Sequence, residues 1–412
     1  MTNVSTQGAV QGAAQGAAQA IISRDSGYVE HTYARFPIAL VRGRGARCWD
    51  ADGKDYIDLT SGIGVNSLGF CDPEWADAVY AQLTTLQHTS NLYYTEPCTM
   101  LAEALCARSG MKKVFFGNSG AEANEGAIKA ARKWGHTHHG PRCHNIITLK
   151  QSFHGRTLTT LAATGQEQFH KEFDPFPTGF SYAEPNDTAS LESMIDENTC
   201  AVMIEFVQGE GGVRALTQDY AKAVAELCAR RGILLIDDEV QTGIGRTGKL
   251  FAYEHYGVTP DIVTCAKGLG GGLPIGAILF GEKTEGTLQP GEHASTFGAN
   301  PAVCAGALVV LNRLNEDGLR HVSLTAQTIR TGLTYVIRRY SGMTCDIGGL
   351  GLMIGVSLPM VSARDAVNAG IKHGVLTLTA HDRLRLLPPL TITPDETAEA
   401  LNRIDEAARS FA

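Results

Sequence analysis

The sequence predicts an α/β fold: a large domain built on a mainly parallel sheet, followed by a smaller α+β domain. Between about residues 70 and 310, continuous apolar runs of strand length alternate with amphipathic helical patterns. Strands that are apolar on both faces belong to a sheet covered on both sides. Past residue 315 this alternation gives way to short strand-like runs interleaved with two helical patterns, the mark of a second and smaller unit.

In chain order, residues 1–20 repeat Gln-Gly-Ala, with Gln7, Gln11, Gln15 and Gln19 at fixed spacing, and carry little that packs. A frayed or weakly helical tail is expected. Residues 21–70 are expected to join the small domain, with strand-like runs flanking Asp52-Gly53, a dipeptide suited to a hairpin turn. The large domain, 71–315, supplies MKKVFF then AEANEGAIKAARKW, AVMIEFV then DYAKAVAELCARRG, and the further runs ILLID, DIVTCA and GAILF. After the helical NPAVCAGALVVLNRL, the small domain at 316–412 reads LMIGVSL, a helix over DAVNAGIKHG, VLTLTA, RLRLL and a last helix. Thr393, Pro394 and Glu396 open that helix as N-cap, first-turn proline and capping-box partner.

Composition narrows the function classes. The 412 residues are 43% hydrophobic and 19% charged, with 35 basic and 43 acidic side chains and a net charge of -8. Mild acidity without a Lys/Arg-rich tract gives no electrostatic footprint for nucleic acid or anionic lipid. No apolar run approaches the roughly 18 residues of a membrane span, and the first 20 residues lack the pattern of a secretory leader. Ten cysteines without a CxxC pair or zinc-ligand spacing point to reduced thiols in the cytoplasm. A small-molecule partner is expected and no metal.

Three segments carry chemistry. VFFGNSGAEANEGAIKAARKW runs strand, turn, helix, which either aims the amides of Gly120 and Ala121 at an anion or merely caps the helix with Ser119 and Glu122. ILLIDDEVQTGIGRTGK contains both GxGxxG (Gly243, Gly245, Gly248) and GxxxxGK (Gly243 to Lys249). Leu250 replaces the magnesium-ligating Ser/Thr of a P-loop, and DDEVQT separates strand from glycines, so nucleotide binding does not follow. What remains is the pair Asp237 and Asp238 at the carboxyl end of a buried strand, where ligands bind in such sheets. DIVTCAKGLGGGLPIG places Lys267 at another strand end beside glycines, a candidate amine nucleophile. Anion site, acid and lysine together suggest a phosphorylated aldehyde, pyridoxal phosphate. His136, His138 and His139 lack the i, i+4 spacing of a helical metal pair and are expected at the surface.

From about residue 30 to the end the sequence resembles the class III, or ω-amino acid, aminotransferases of the aspartate-aminotransferase fold, pyridoxal-phosphate fold type I. The resemblance rests on ordered motifs: GIGVNSLG (62–69), SNLYYTEP (90–97), GNSGAEAN (117–124), SFHGRT (152–157), VQGEGG (207–212), DEVQTGIGRTG (238–248), AKGLGGGLPIGA (266–277), STFGANP (295–301) and RLLPPL (385–390). Within the class it is most similar to the branch that takes N-acetylornithine as amino donor. Ornithine, succinylornithine and 4-aminobutyrate aminotransferases share the cofactor motifs, as does the glutamate-semialdehyde aminomutase type of isomerase.

The resemblance implies that Lys267 bonds the cofactor aldehyde and then moves the proton, and that Asp238 bonds the pyridine nitrogen. It implies Phe153 on one ring face, Val240 on the other, and Gln241 near the ring hydroxyl. Gly120 and Ala121 would hold the phosphate, joined by Thr296 from a partner subunit, so a homodimer with a shared site is expected. Arg156 would clamp a substrate carboxylate and Arg385 the α-carboxylate of glutamate or 2-oxoglutarate, with Glu210 as a gate pairing Arg385 while the amine donor is bound. Ser295 and Asn91 are further substrate-contact candidates. Phe206, Ala299 and Phe70 depart from the family pattern, which commonly has proline, glycine and histidine there, and bear on pocket shape.

Overall fold

The computed structural model describes residues 6–341, 346–358 and 361–411. From residue 6 the Gln-Gly-Ala stretch is the start of a helix, Thr6–Tyr28, in keeping with its alanine content. Its first five residues, and Cys345, lie outside the described residues. No helix among the described residues is long and apolar enough to cross a membrane.

A seven-stranded sheet forms the centre, in the order Lys113–Gly117, Gly276–Phe280, Ile262–Cys265, Leu234–Asp238, Thr199–Ile204, Asn145–Leu149, Phe180–Ala183. Gly276–Phe280 runs antiparallel to both its neighbours, and the other pairings are parallel. The apolar runs are continuous because both faces are covered. Leu234 and Ile236 share a core with Ala123, Ala127, Ala130 and Trp134 of the helix Gly120–His139. Leu235 belongs instead to the core that holds Tyr220, Val224 and Leu227 of the helix Gln218–Arg231. Each such Leu or Ile contributes about 1.5–3 kcal/mol by leaving water. The same alternation aims Asp238 toward the helix Gly120–His139 and Asp237 toward the opposite face.

Around this sheet the two ends of the chain come together. The hairpin Arg47–Asp50 and Asp55–Asp58 turns at Asp52-Gly53, where the Asp50 carboxylate accepts the amides of Asp52 at 3.0 Å and Lys54 at 2.9 Å. The run VLTLTA, expected as one strand, divides at Thr377. Val375–Leu376 pairs in parallel with Asp55–Asp58, while Leu378–Ala380 joins a second sheet with Arg383–Leu386, Ile354–Val356 and Ile347–Gly348. Arg47 reaches both Asp55 and Glu399, and Arg403 reaches Asp55 at 2.6 Å, tying the hairpin to the last helix, Pro394–Arg409. That helix opens with the Thr393–Glu396 capping box and Pro394 in its first turn, as the sequence predicts.

Candidate active site

A cavity of about 450 Å³ opens at the carboxyl ends of the central strands, lined among others by Gly120, Ala121, Phe153, Arg156, Asp238, Val240, Gln241 and Lys267. Every one of these was expected from the sequence, although they come from distant parts of the chain.

The strand Lys113–Gly117 ends in a turn that starts the helix at Gly120. Ser119 Oγ accepts the Glu122 amide at 3.1 Å, so the capping reading of this segment holds. Capping leaves the amides of Gly120 and Ala121, which no carbonyl of their own helix can reach, at the cavity wall. The cap is thus compatible with the anion reading, since it leaves these two amides unused. Gly120 is required here by close approach, since a Cβ would lie 2.6 Å from Val240 Cγ1.

Asp238 is 3% exposed and fully hydrogen-bonded. Its Oδ2 accepts Asn124 Nδ2 at 2.7 Å and lies 2.7 Å from His154 Nδ1, and its Oδ1 accepts the Val240 amide at 3.0 Å. Asn124 is itself fixed, donating to the His154 carbonyl and accepting Thr264 Oγ1, each at 2.7 Å. A carboxylate held by this many donors stays in one orientation, with its charge directed at the cavity. Asp237 does not line it. That residue is buried on the other face, where desolvation and then the neighbouring Glu239 push its carboxyl well up.

Lys267 begins a short 3-10 turn with φ 39, an uncommon conformation for a residue with a side chain. Desolvation pushes its ammonium down, against the opposing fields of Glu210 and Asp238. Lowering favours the neutral amine, the form that attacks a carbonyl. Glu205, at the end of the strand Thr199–Ile204, also lines the cavity, and it accepts the amides of Phe153 at 2.9 Å and Gly209 at 3.2 Å. Its carboxyl is pushed up to about 7, by burial first and by Asp238, with His154 opposing.

Arg385 and Glu210 meet the cavity through Gln241, which lines it: Arg385, only 3% exposed, donates to Glu210 Oε1 at 2.5 Å and to Gln241 Oε1 at 3.1 Å. Gln241 Nε2 closes the triangle on Glu210 at 3.2 Å. Burial alone would raise the Glu210 carboxyl, but the Arg385 guanidinium holds it below the usual range. Arg156 is exposed and its guanidinium lies over the Phe169 ring at 4.1 Å and the Phe153 ring at 5.3 Å.

Besides Arg385 and Glu210, three further expected residues do not line the cavity: Asn91, Ser295 and Thr296. Asn91 Nδ2 donates to the carbonyls of Ser295 at 3.1 Å and Gly298 at 2.9 Å, bracing the loop that follows. Ser295 Oγ accepts Asn118 Nδ2 and the Gly298 amide, each at 3.0 Å, so it reaches the cavity wall only through Asn118. Thr296 is exposed beside the exposed Phe297. The histidines at 136, 138 and 139 are exposed at a helix end, with His138 stacked on Trp134. Sequence reasoning missed His154, Asn124 and Glu205. A helical signal existed for Asn124, four residues after Gly120 and so on the same face.

The set fits pyridoxal phosphate: two free helix-terminal amides for a phosphate, a fixed carboxylate for a pyridinium, an aromatic ring to stack on, and a lysine for an aldehyde. Comparison with known proteins agrees. Residues 28–408 match the family Aminotransferase class-III. The chain is 53% identical over 374 residues to the acetylornithine aminotransferase of Haemophilus ducreyi, covering 90% of this chain and 94% of that one. It is 47% identical to the acetylornithine aminotransferase of Caldanaerobacter subterraneus, covering 94% and 98%. Among solved structures, N-acetylornithine aminotransferase from Stenotrophomonas maltophilia superposes with a TM-score of 0.82 at 38% identity, covering 95% and 99%. The ornithine aminotransferase from Toxoplasma gondii does so with a TM-score of 0.91 at 31% identity, covering 99% of each chain. By sequence, fold and site, the chain belongs to the pyridoxal-phosphate-dependent class III aminotransferases.

Proposed function

We propose that this protein transfers the terminal amino group of N2-acetyl-L-ornithine to 2-oxoglutarate, giving N-acetylglutamate 5-semialdehyde and L-glutamate, a step of arginine biosynthesis. The observation that carries the reading is the Arg385–Glu210–Gln241 triangle beside the cavity. A transaminase of this kind must accept first an amine with an apolar stem and then a dicarboxylate in the same place. A guanidinium paired with a mobile carboxylate meets both demands. Paired, it presents no unbalanced charge to the stem; with Glu210 displaced, its planar fork binds two carboxylate oxygens. Relatives carrying the acetylornithine name at 53% and 47% identity support the choice of donor.

Bound pyridoxal phosphate supplies an electron sink that stabilises negative charge on the substrate carbon. In this reading Lys267 would hold the cofactor through its amine, and its depressed basicity would suit it to take a proton from the substrate carbon and give it up again. Asp238, braced by His154 and Asn124, would keep the ring nitrogen protonated. Phe153 and Val240 would hold the ring, Gln241 would serve its hydroxyl, and Gly120 and Ala121 would bind the phosphate. Arg156 clamps the substrate carboxylate remote from the reacting amine.

The active unit in this proposal is a cytoplasmic homodimer. Leu92 (85% exposed), Tyr93 (72%), Tyr94 (100%) and Phe297 (63%) are large exposed side chains next in sequence to Asn91 and Thr296, which supports a face covered by a second copy. Thr296 then serves the partner's phosphate site. Residues 71–315 act as the cofactor-binding domain and 316–412, completed by 21–70, as the smaller one. The reading is tested by following semialdehyde formation from acetylornithine with and without 2-oxoglutarate. Repeated turnover is expected only with the oxo acid, and at most about one equivalent per site without it; sustained turnover of an amino-aldehyde substrate in its absence would instead favour an aminomutase.

A further inference from the structure

The GIGRTG segment, which resembles a nucleotide loop but does not bind one, has a different use. Its Arg246 is 2% exposed, among the largest side chains removed from water in the molecule. No carboxylate lies within ion-pairing distance of it among the described residues. Burial pushes its guanidinium down, with the field of Asp58 opposing. An unpaired buried charge is costly unless its hydrogen bonds are met, and the partners of Arg246 come from three separate segments. It donates to the Pro388 carbonyl at 2.5 Å, to the Leu352 carbonyl at 3.3 Å and to Ser61 Oγ at 3.4 Å.

These partners surround one strand. Pro388 lies three residues after Arg385, and Leu352 leads into Ile354–Val356, whose Gly355 is the register partner of Arg385. Ser61 Oγ donates in turn to the Leu387 carbonyl at 2.5 Å, and the Leu387 amide returns to the Leu59 carbonyl at 2.7 Å. The Leu352 amide closes the ring on the Arg246 carbonyl at 2.9 Å. Contact at this point is tight, since a Cβ on Gly351 would lie 2.3 Å from the Thr247 carbonyl carbon. On the other side, Arg246 follows Asp238 by eight residues through a loop buried over most of its length.

We propose that Arg246 is a positioning residue for oxo-acid recognition: it clamps the strand bearing Arg385 to the loop that follows Asp238 and so fixes the distance from the carboxylate receptor to the reacting centre. This inference rests on the assignment of Arg385 as that receptor. Arginine suits this position because Nη1 donates to both carbonyls while Nη2 reaches Ser61 Oγ, so two linked nitrogens hold three segments where a lysine offers one.

The test uses cofactor-loaded enzyme with Arg246→Lys, Ser61→Ala and Arg385→Lys, in two readouts. Hydrogen exchange at the Leu387 amide, and at the Leu390 amide that donates to the Ser67 carbonyl at 2.8 Å, reports the clamp, and separate half-reactions with acetylornithine and with 2-oxoglutarate report the receptor. Arg246→Lys is expected to speed exchange at both amides and to raise the KM for 2-oxoglutarate about tenfold, with the donor half-reaction within about threefold of wild type. Ser61→Ala should give the same split at smaller size, and it carries the test if Arg246→Lys does not fold. Equal losses in both half-reactions, or unchanged exchange at Leu387 and Leu390, would overturn the proposal. If Arg385→Lys leaves the KM for 2-oxoglutarate unaltered, the receptor assignment falls instead, and the exchange readout still decides the clamp.

Discussion

Glu210→Gln separates the two tasks of the Arg385 site. The wild-type pair is 2.5 Å long, with side-chain exposures of 4% for Arg385 and 29% for Glu210. Glutamine keeps a neutral acceptor and removes the charge. A charge-assisted hydrogen bond is worth about 1.5–3 kcal/mol net, and the lower figure applies because Gln still accepts and Glu210 is partly solvated. An incoming 2-oxoglutarate then no longer has to displace a carboxylate, and its kcat/KM should rise by about tenfold, roughly 1.4 kcal/mol. The amine donor meets an unbalanced guanidinium, and its kcat/KM should fall by a similar factor. The ratio of the two half-reactions thus shifts by about a hundredfold, measured by stopped-flow absorbance of the cofactor with each substrate alone. A change of equal size and sign in both half-reactions would refute the gate. Because Arg385 holds the Glu210 carboxyl below its usual range, the pair is intact from neutral pH down through the ordinary carboxylate range and opens only in stronger acid. The wild-type ratio should accordingly stay flat between about pH 6 and 9.

Three other outcomes follow from the geometry. Lys267→Ala should abolish turnover and the visible absorbance of lysine-bound cofactor, checked by spectrum and single-turnover kinetics. Gly120→Val places a branched side chain where Val240 already stands, and equilibrium dialysis should show cofactor affinity down by about tenfold or more while the far-ultraviolet circular dichroism is kept. Glu205 has a folded pKa raised to about 7, so its contribution to stability is fully present below the ordinary carboxylate range and is lost as the pH rises toward 7. Glu205→Gln should reduce the decline in melting temperature of the cofactor-free chain over that interval, and an unchanged slope would show that Glu205 does not titrate there.

How far the fold was legible depended on whether the signal was local. The Thr393-Pro394-Glu396 start, the hairpin at Asp52-Gly53 and the strand over Gly276–Phe280 could all be read because their causes lie within a few residues. The antiparallel direction of Gly276–Phe280 could not, since a strand buried on both faces has the same apolar pattern in either direction. The division of VLTLTA between two sheets was likewise hidden, as it depends on which strands lie alongside rather than on its own residues. The strands Asn145–Leu149 and Phe180–Ala183 escaped notice as short runs without a distinctive turn on either side.

In the site, residues at strand and helix ends were legible because topology puts them at the carboxyl edge of the sheet: Asp238 and Lys267 by their side chains, Gly120 and Ala121 by their amides. Those that act by bracing were not. His154 and Asn124 matter through contacts with Asp238, which lies 84 and 114 positions away in sequence. Arg246 was passed over because, once a nucleotide loop was set aside, its neighbours carried no further signal, and its partners, the carbonyls of Leu352 and Pro388, lie 106 and 142 positions away.

The central claim is amino transfer from acetylornithine to 2-oxoglutarate. It is tested most directly by kcat/KM for acetylornithine, ornithine, succinylornithine and 4-aminobutyrate under saturating 2-oxoglutarate. Acetylornithine should lead the panel. If 4-aminobutyrate leads by more than about tenfold, roughly 1.4 kcal/mol of transition-state preference, the assignment of donor is wrong.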